Sequence, residues 1–378
     1  VPYLDNNATT QPTPAVCHAL TRACSELWAN PSSIHRAGQA VRNAVEVARA
    51  DIAALLNTKP RNITLTATGT ESIHLAIRGS LTRNATPVLV TTAIEHAAIR
   101  ELAALLADTA NLEVRLIPLG PAGLIDPESL PPLLDGADLC SVQWVNNETG
   151  LIQPIPAIYQ HCKAAGVRFH TDATQLVGRA PLPSPIPADL LSCSAHKFHG
   201  PKGVGILYAR PGVGIRPLFP GSQELGRRAG TENTPGILAT GVAAREAAEW
   251  LADDSARTRL AALRDRLEAG IQAACPAAVI NAPPNPADRL WTTTNIGFPA
   301  LEAEALLILL SEQGLAASAG AACSSGSLDP SPVLLAMDIP PRIAHGSIRL
   351  SLSRFTTDAD IENAIPIVAN AVARLAMT

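Results

Sequence analysis

The sequence predicts an α/β protein: a large domain built on a mostly parallel sheet covered by helices, joined to a smaller α+β domain. Two observations carry this expectation. The 378 residues are 47% hydrophobic and 16% charged, which suits a sizeable core and a length of about two domains. From Thr13 to about Trp250, helix-period stretches alternate with short apolar runs, the pattern of strands laid side by side through helical crossovers.

In chain order, Val41 to Leu56 reads as an amphipathic helix, and Ile63 to Leu65 as a strand that leads through a glycine-containing turn into a second helix. Leu102 to Leu106 lies in another helix. The runs Val88 to Val90, Val114 to Ile117, Leu139 to Val145, Val167 to His170, Leu190 to Cys193 and Val204 to Tyr208 read as strands, and Pro181 to Pro187 as a rigid surface connection. An Ala/Glu/Arg-rich stretch from Ala239 to Ala274 predicts a long helix or helix pair. Beyond it come a proline-rich loop at 283–286, a helix near Leu301 to Glu312, a small-residue loop at 316–327 and a last helix near Asp358 to Leu375. The expected division is residues 14–250 for the large domain, and 1–13 with 251–378 for the small one. Ligands of such sheets gather at the carboxyl ends of the strands.

Thirty-three acidic and 29 basic residues leave a formal charge of -4 without a block of one sign, so nucleic acid is not an expected partner. No apolar run reaches the roughly 18 residues needed to span a bilayer, and Val1-Pro2-Tyr3-Leu4-Asp5 lacks the character of a signal peptide. A cytoplasmic location without a membrane partner is expected. The seven cysteines (17, 24, 140, 162, 193, 275 and 323) are irregularly spaced without a CxxC pair, which points to buried thiols rather than disulfides or a metal site. Cys323, in a flexible small-residue setting, is the exception.

Three segments carry chemistry. Ser194-Ala195-His196-Lys197 follows a strand and runs into Gly200 and Gly203. Its lysine suits a Schiff base with a carbonyl cofactor, while Ser194 and His196 suit a phosphate. Alone, the segment reads equally well as a charged surface loop. Asp172 ends a strand 25 residues earlier, where a carboxylate would hold a pyridine nitrogen protonated. Thr66-Ala67-Thr68-Gly69-Thr70-Glu71-Ser72 joins a strand to a helix and suits either a phosphate or a plain helix cap.

These segments resemble cysteine desulfurases of the NifS/IscS type. The resemblance extends to Tyr3-Leu4-Asp5-Asn6-Asn7-Ala8-Thr9-Thr10, Asn30-Pro31-Ser32-Ser33-Ile34-His35, Glu95-His96, Val145-Asn146-Asn147-Glu148-Thr149-Gly150, Arg227-Arg228-Ala229-Gly230-Thr231-Glu232-Asn233 and the Cys323 loop, in order from residue 3 to about 356. It implies a fold-type I enzyme dependent on pyridoxal 5'-phosphate, a homodimer with its sites at the subunit interface. Carried over by position, Lys197 binds the cofactor covalently and Asp172 pairs with the ring nitrogen. His96 stacks on the ring and relays protons, and Asn147 and Gln175 address the ring hydroxyl. Gly69, Thr70, Ser194 and His196 hold the phosphate, and Thr231 reaches the phosphate of the other subunit's cofactor. Arg349 clamps the substrate carboxylate, with Arg354 as a weaker competitor.

The implied reaction takes sulfur from L-cysteine, leaving L-alanine and a persulfide on Cys323 that passes to an acceptor such as an iron–sulfur scaffold protein. The 26 residues between Cys323 and Arg349 resemble the long-loop group. Two departures stand out: Ser318-Ala319-Gly320-Ala321-Ala322-Cys323 lacks two hydroxyls of the usual pattern, and Ile73-His74 replaces a common Asn-containing pair. An aminotransferase or β-lyase on the same fold would not need Cys323.

Overall fold

The computed structural model describes residues 2–81, 86–283, 285–320 and 329–377. In chain order the elements are α1 (Pro14–Glu26), α2 (Arg36–Leu55), β1 (Ile63–Thr66), α3 (Gly69–Ser80), β2 (Val88–Thr91), α4 (Ala97–Ala110), β3 (Glu113–Leu116), α5 (Pro131–Leu134), β4 (Leu139–Gln143), α6 (Ile155–Ala165), β5 (Arg168–Asp172), β6 (Leu190–Ser194) and β7 (Gly205–Ala209). They continue with α7 (Thr234–Leu251), α8 (Asp254–Ala274), β8 (Val279–Ile280), β9 (Thr293–Gly297), α9 (Ala303–Glu312), α10 (Pro332–Ala336), α11 (Pro341–Ala344), β10 (Ser347–Ser351) and α12 (Asp358–Ala376). Every strand read from the apolar runs is present within one or two residues, and the Ala239 to Ala274 stretch resolves into the pair α7 and α8, which turns at Ala252 and Asp253.

Strands β1 to β7 form one sheet in the order β1-β7-β6-β5-β4-β2-β3. All neighbours are parallel except β7, which runs against both β1 and β6. Reversing one strand between two others leaves β1 pointing the same way as β6, so the carboxyl ends of β1, β2, β4, β5 and β6 share one edge. Side chains alternate across the sheet. Cys140, Val142, Phe169, Leu191, Cys193, Ile206 and Tyr208 pack in the core with α2, α6 and α7. Leu89, Leu139, Leu190, Leu207 and Ala209 face the other way, against α3 and α4. Both faces being covered, every strand of this sheet except β3 is buried almost throughout, which is why short apolar stretches mark them in the sequence.

The second sheet, β10-β9-β8, is antiparallel. The start of the chain crosses both layers. Asp5 bridges Ser351 on β10, and Thr10 N donates to His196 O beyond β6 at 3.0 Å. This strap draws Arg349, from the small sheet, toward the strand ends of the large one. Four of the described cysteines are buried, as expected of most of them, whereas Cys17 and Cys24 on α1 are exposed. Among the described residues no helix is long and apolar enough to cross a membrane.

Candidate active site

The shared edge of the large sheet opens into a cavity of about 320 Å³. Thr66, Gly205 and Ser194 lie level across β1, β7 and β6. A Cβ on Gly205 would stand 2.0 Å from Thr68 O, and one on Gly69 3.2 Å from Ser194 Cβ. Two glycines therefore let the α3 entry close onto β6 and β7. Thr68 caps α3 by accepting from Glu71 N, while the Glu71 carboxylate accepts from Ala67 N at 2.7 Å and pairs with Arg228 at 2.8 Å. The first turn of the helix is thereby fixed with Gly69 and Thr70 facing the cavity, a helix N-terminus suited to a phosphate. Ser194, His196 and Lys202 line the same end.

Lys197 follows β6 by three residues and is largely buried. Its Nζ donates to Asn7 O and, at 2.9 Å, to Ala8 O. Burial lowers its pKa to about 7, helped by the cations Arg179 and Arg349 and opposed by Asp172 and Asp5. A substantial neutral fraction at pH 7 makes this amine a nucleophile. Asp172, at the end of β5, accepts from Thr174 N on Oδ1 at 2.9 Å. Among the described residues no donor is bonded to Oδ2, leaving a buried carboxylate oxygen free to meet a cationic ring N–H.

His96 caps α4, its Nδ1 accepting from Ala98 N at 3.1 Å. Burial holds its pKa below the usual value, so the ring is neutral and its hydrogen sits on Nε2. In this state His96 is a proton donor toward the cavity, and a relay through it begins with the loss of that hydrogen. Burial and nearby cations likewise push His196 down to about 3. Gln143 Nε2 donates to Asn147 Oδ1 at 3.2 Å, which leaves the Asn147 amide N–H groups for the cavity. Arg349 donates to Asn147 O at 3.0 Å and to Asp5 Oδ1 at 2.8 Å, while its Nε has no partner among the described residues.

Lys197, Asp172, His96, Asn147, Gln175, Gly69, Thr70, Ser194, His196 and Arg349 thus meet around one cavity. Thr231 does not line it, and is exposed in the turn before α7. Cys323 lies outside the described residues. Arg354 is spent on Glu246 at 2.9 Å and also lies outside the cavity lining. Sequence reading assigned no individual role to Asn7 or Gln143. Asn7 meets Lys197 through its carbonyl, a group present at every residue, so no side-chain pattern marks that contact.

The family described as Aminotransferase class-V matches residues 2–364. "Cysteine desulfurase 2" of Trichormus variabilis is 45% identical over 377 residues, covering 99% of this chain and 93% of its own. "Cysteine desulfurase NifS" of Azotobacter vinelandii is 43% identical over 380 residues, covering 99% and 93%. The chain belongs to the class-V aminotransferase family, among the NifS-type cysteine desulfurases. A solved "NIFS-LIKE PROTEIN" of this type has a TM-score of 0.90 at 34% identity, covering 99% of both chains. "SspA in complex with cysteine" has a TM-score of 0.81 at 29% identity, covering 94% of this chain and all of the other. The class-V fold is of the fold-type I kind, and its cofactor is pyridoxal 5'-phosphate. The site fits that group. The Gly69 cradle is free of the Cβ that would fill it, Asp172 keeps one oxygen unbonded, and Lys197 is a depleted cation beside both.

Proposed function

We propose that the protein is a cysteine desulfurase that removes sulfur from L-cysteine, releases L-alanine and carries the sulfur as a persulfide on Cys323. The observation that supports this most directly is the meeting of Lys197, Asp172 and Arg349 around one cavity, because it joins a covalent anchor, a ring-nitrogen partner and a carboxylate clamp in one site. When bound, pyridoxal 5'-phosphate withdraws electrons from the substrate Cα, making its proton removable and the sulfur on Cβ open to attack.

Lys197 would hold the cofactor and, once displaced by the substrate amine, take the Cα proton; its lowered pKa favours both roles. Asp172 would keep the ring nitrogen protonated, Gln175 and Asn147 would donate to the ring oxygen, and Gly69, Thr70, Ser194 and His196 would bind the phosphate. Arg349 would orient the substrate carboxylate, and His96 Nε2–H would donate within the cavity. The Cys323 thiolate would attack the substrate sulfur. The S–Cβ bond breaks, an S–S bond forms, and a proton completes the alanine methyl group, so one L-cysteine and one thiol give one L-alanine and one persulfide.

The persulfide would pass to an acceptor such as an iron–sulfur cluster scaffold protein in the cytoplasm. A homodimer is proposed with it, Thr231 serving the partner's cofactor; exposed Trp28, Ile34, Phe219 and Leu225 support an apolar contact around the segments flanking α2 and α7. Residues 14–250 would form the cofactor-binding domain, and 1–13 with 251–378 the domain that carries the 316–327 loop.

The test supplies L-cysteine and a reductant and measures alanine and sulfide together. Equal yields are expected. Cys323→Ala should retain the cofactor and its spectral response to L-cysteine, yet lose alanine formation by several orders of magnitude, because the covalent step itself is removed. Alanine within tenfold of the parent under single-turnover conditions would favour the β-lyase alternative.

A further inference from the structure

Beneath the cavity, and not lining it, lies Arg179. It ends the turn after β5, behind Gly178, whose φ of +75° and approach of 2.3 Å from a would-be Cβ to Phe198 Cβ bring the chain tight under the Lys197 loop. Arg179 is 4% exposed, and among the described residues no carboxylate pairs with it. Its partners are neutral oxygens. Nη1 donates to Asn7 Oδ1 at 2.7 Å and to Gln175 Oε1, and Nη2 donates to Asn6 O at 2.8 Å. Its own carbonyl accepts from Trp291 Nε1 at 2.8 Å. A buried guanidinium without a counter-charge is expensive to desolvate and calls for a reason.

We propose that Arg179 is a positioning residue of the cofactor site: from below it fixes which way the Gln175 and Asn7 amides face, and it keeps a positive charge behind Lys197. The inference rests on the pyridoxal phosphate reading above. A guanidinium only donates, so any amide facing it must turn its oxygen toward it. Gln175 therefore presents its NH₂ upward, where one N–H meets Asn7 O at 3.1 Å and the other is left for an acceptor in the cavity that Gln175 lines. Asn7 is turned the same way, its Nδ2 donating to Thr293 Oγ1 at 2.8 Å and Asn147 O at 3.0 Å. The Asn7 carbonyl then accepts from Lys197. Without Arg179, either amide could flip and offer an oxygen to an oxygen.

The charge acts on the same lysine. Lys197 faces Arg179 and Arg349, which disfavour its protonation, and Asp172 and Asp5, which favour it. Arg179 is the largest of these charge effects, second only to burial. An uncompensated cation at this place shifts the amine toward its reactive neutral form.

The experiment is a pH titration of the cofactor absorbance in the loaded parent, Arg179→Met and Arg179→Lys. In Arg179→Met the midpoint should rise by about 1 pH unit, as expected when one nearby charge is removed. Arg179→Lys keeps the charge but cannot span three acceptors, so its midpoint should stay near the parent's while its absorbance maximum moves with the loss of the ring-oxygen donor. If Arg179→Met does not fold, Arg179→Lys alone decides. An unchanged maximum overturns the positioning role, and a midpoint moved as far as removal predicts overturns the electrostatic one. A yellow, folded Arg179→Met with the parent's midpoint overturns the proposal while leaving the cofactor reading intact. A parent that takes up no pyridoxal phosphate overturns both.

Discussion

Arg349 is 1% exposed and already carries a counter-ion, Asp5, before any substrate arrives. A substrate carboxylate must join Asp5 on the guanidinium fork, which needs the planar geometry of arginine. Arg349→Lys is therefore expected to raise KM for L-cysteine about 10- to 100-fold, because bidentate recognition is lost, while cofactor absorbance stays as in the parent. Steady-state kinetics beside a spectrum checks this, and a KM within twofold of the parent would remove Arg349 from the role. At this scale the sequence was legible wherever a residue type has few uses in its setting: a lysine after a strand, an aspartate at a strand end, an arginine in Ser347-Ile348-Arg349-Leu350-Ser351. Asp5 and Arg179 were not legible as site residues. Each acts through a partner hundreds of positions away or through the orientation of another side chain, and neither leaves a local pattern.

The phosphate cradle is a property of three elements at once, since Gly205 opens β7 where Thr68 ends the turn into α3. In Gly205→Ala the added Cβ would meet backbone, Thr68 O, rather than a side chain that can swing away. The expected cost is about 1–3 kcal/mol of stability, typical of overpacking, together with weaker cofactor binding; thermal unfolding and a pyridoxal phosphate titration measure the two, and unaltered affinity would show that the cradle lies elsewhere. The strands around it were readable because burial on both faces leaves a short apolar stretch in each, but the reversed direction of β7 was not, since a buried strand looks alike from either end. β9 escaped notice for the opposite reason. Thr293, Thr294 and Asn295 are buried yet polar, with β10 pairing their backbone, so an apolar run never forms. The pair α7 and α8 was left open as one helix or two because both halves share the same composition, and Asp253 capping Ser255 N decides it.

Among the described residues burial lowers five histidines, His74 and His96 and, most strongly, His170, His196 and His199. His170 is bracketed by Ser141 Oγ at 2.8 Å and Ser192 Oγ at 2.9 Å across β4, β5 and β6, and burial depresses it to about 3. His196 and His199 are lowered to about 3 and about 4, with burial the main cause. Unfolded histidine titrates near ~6.5, so below that pH the unfolded chain binds protons that the folded one refuses. Stability from these groups is complete above about 6.5 and is lost as pH falls toward 4 and then 3, with a slope approaching ~1.4 kcal/mol per pH unit for each histidine. Urea midpoints of the cofactor-free protein between pH 7 and 4 should trace this limb, and His199→Asn should flatten it; a midpoint indifferent to pH over that range would contradict it. The strap at residues 5–10 has a further consequence, one of time. Asn7 N bonds Ser351 Oγ across 344 positions, and Asn6 Nδ2 bonds Ser351 O across 345. During synthesis the first segment of the pocket therefore emerges 344 residues before the serine that fastens it. A growing chain that has already delivered Lys197 and Asp172 still has no closed floor beneath them until β10 emerges, so this topology defers cofactor capture until the small sheet is in place and makes a loaded site a sign that both sheets have folded.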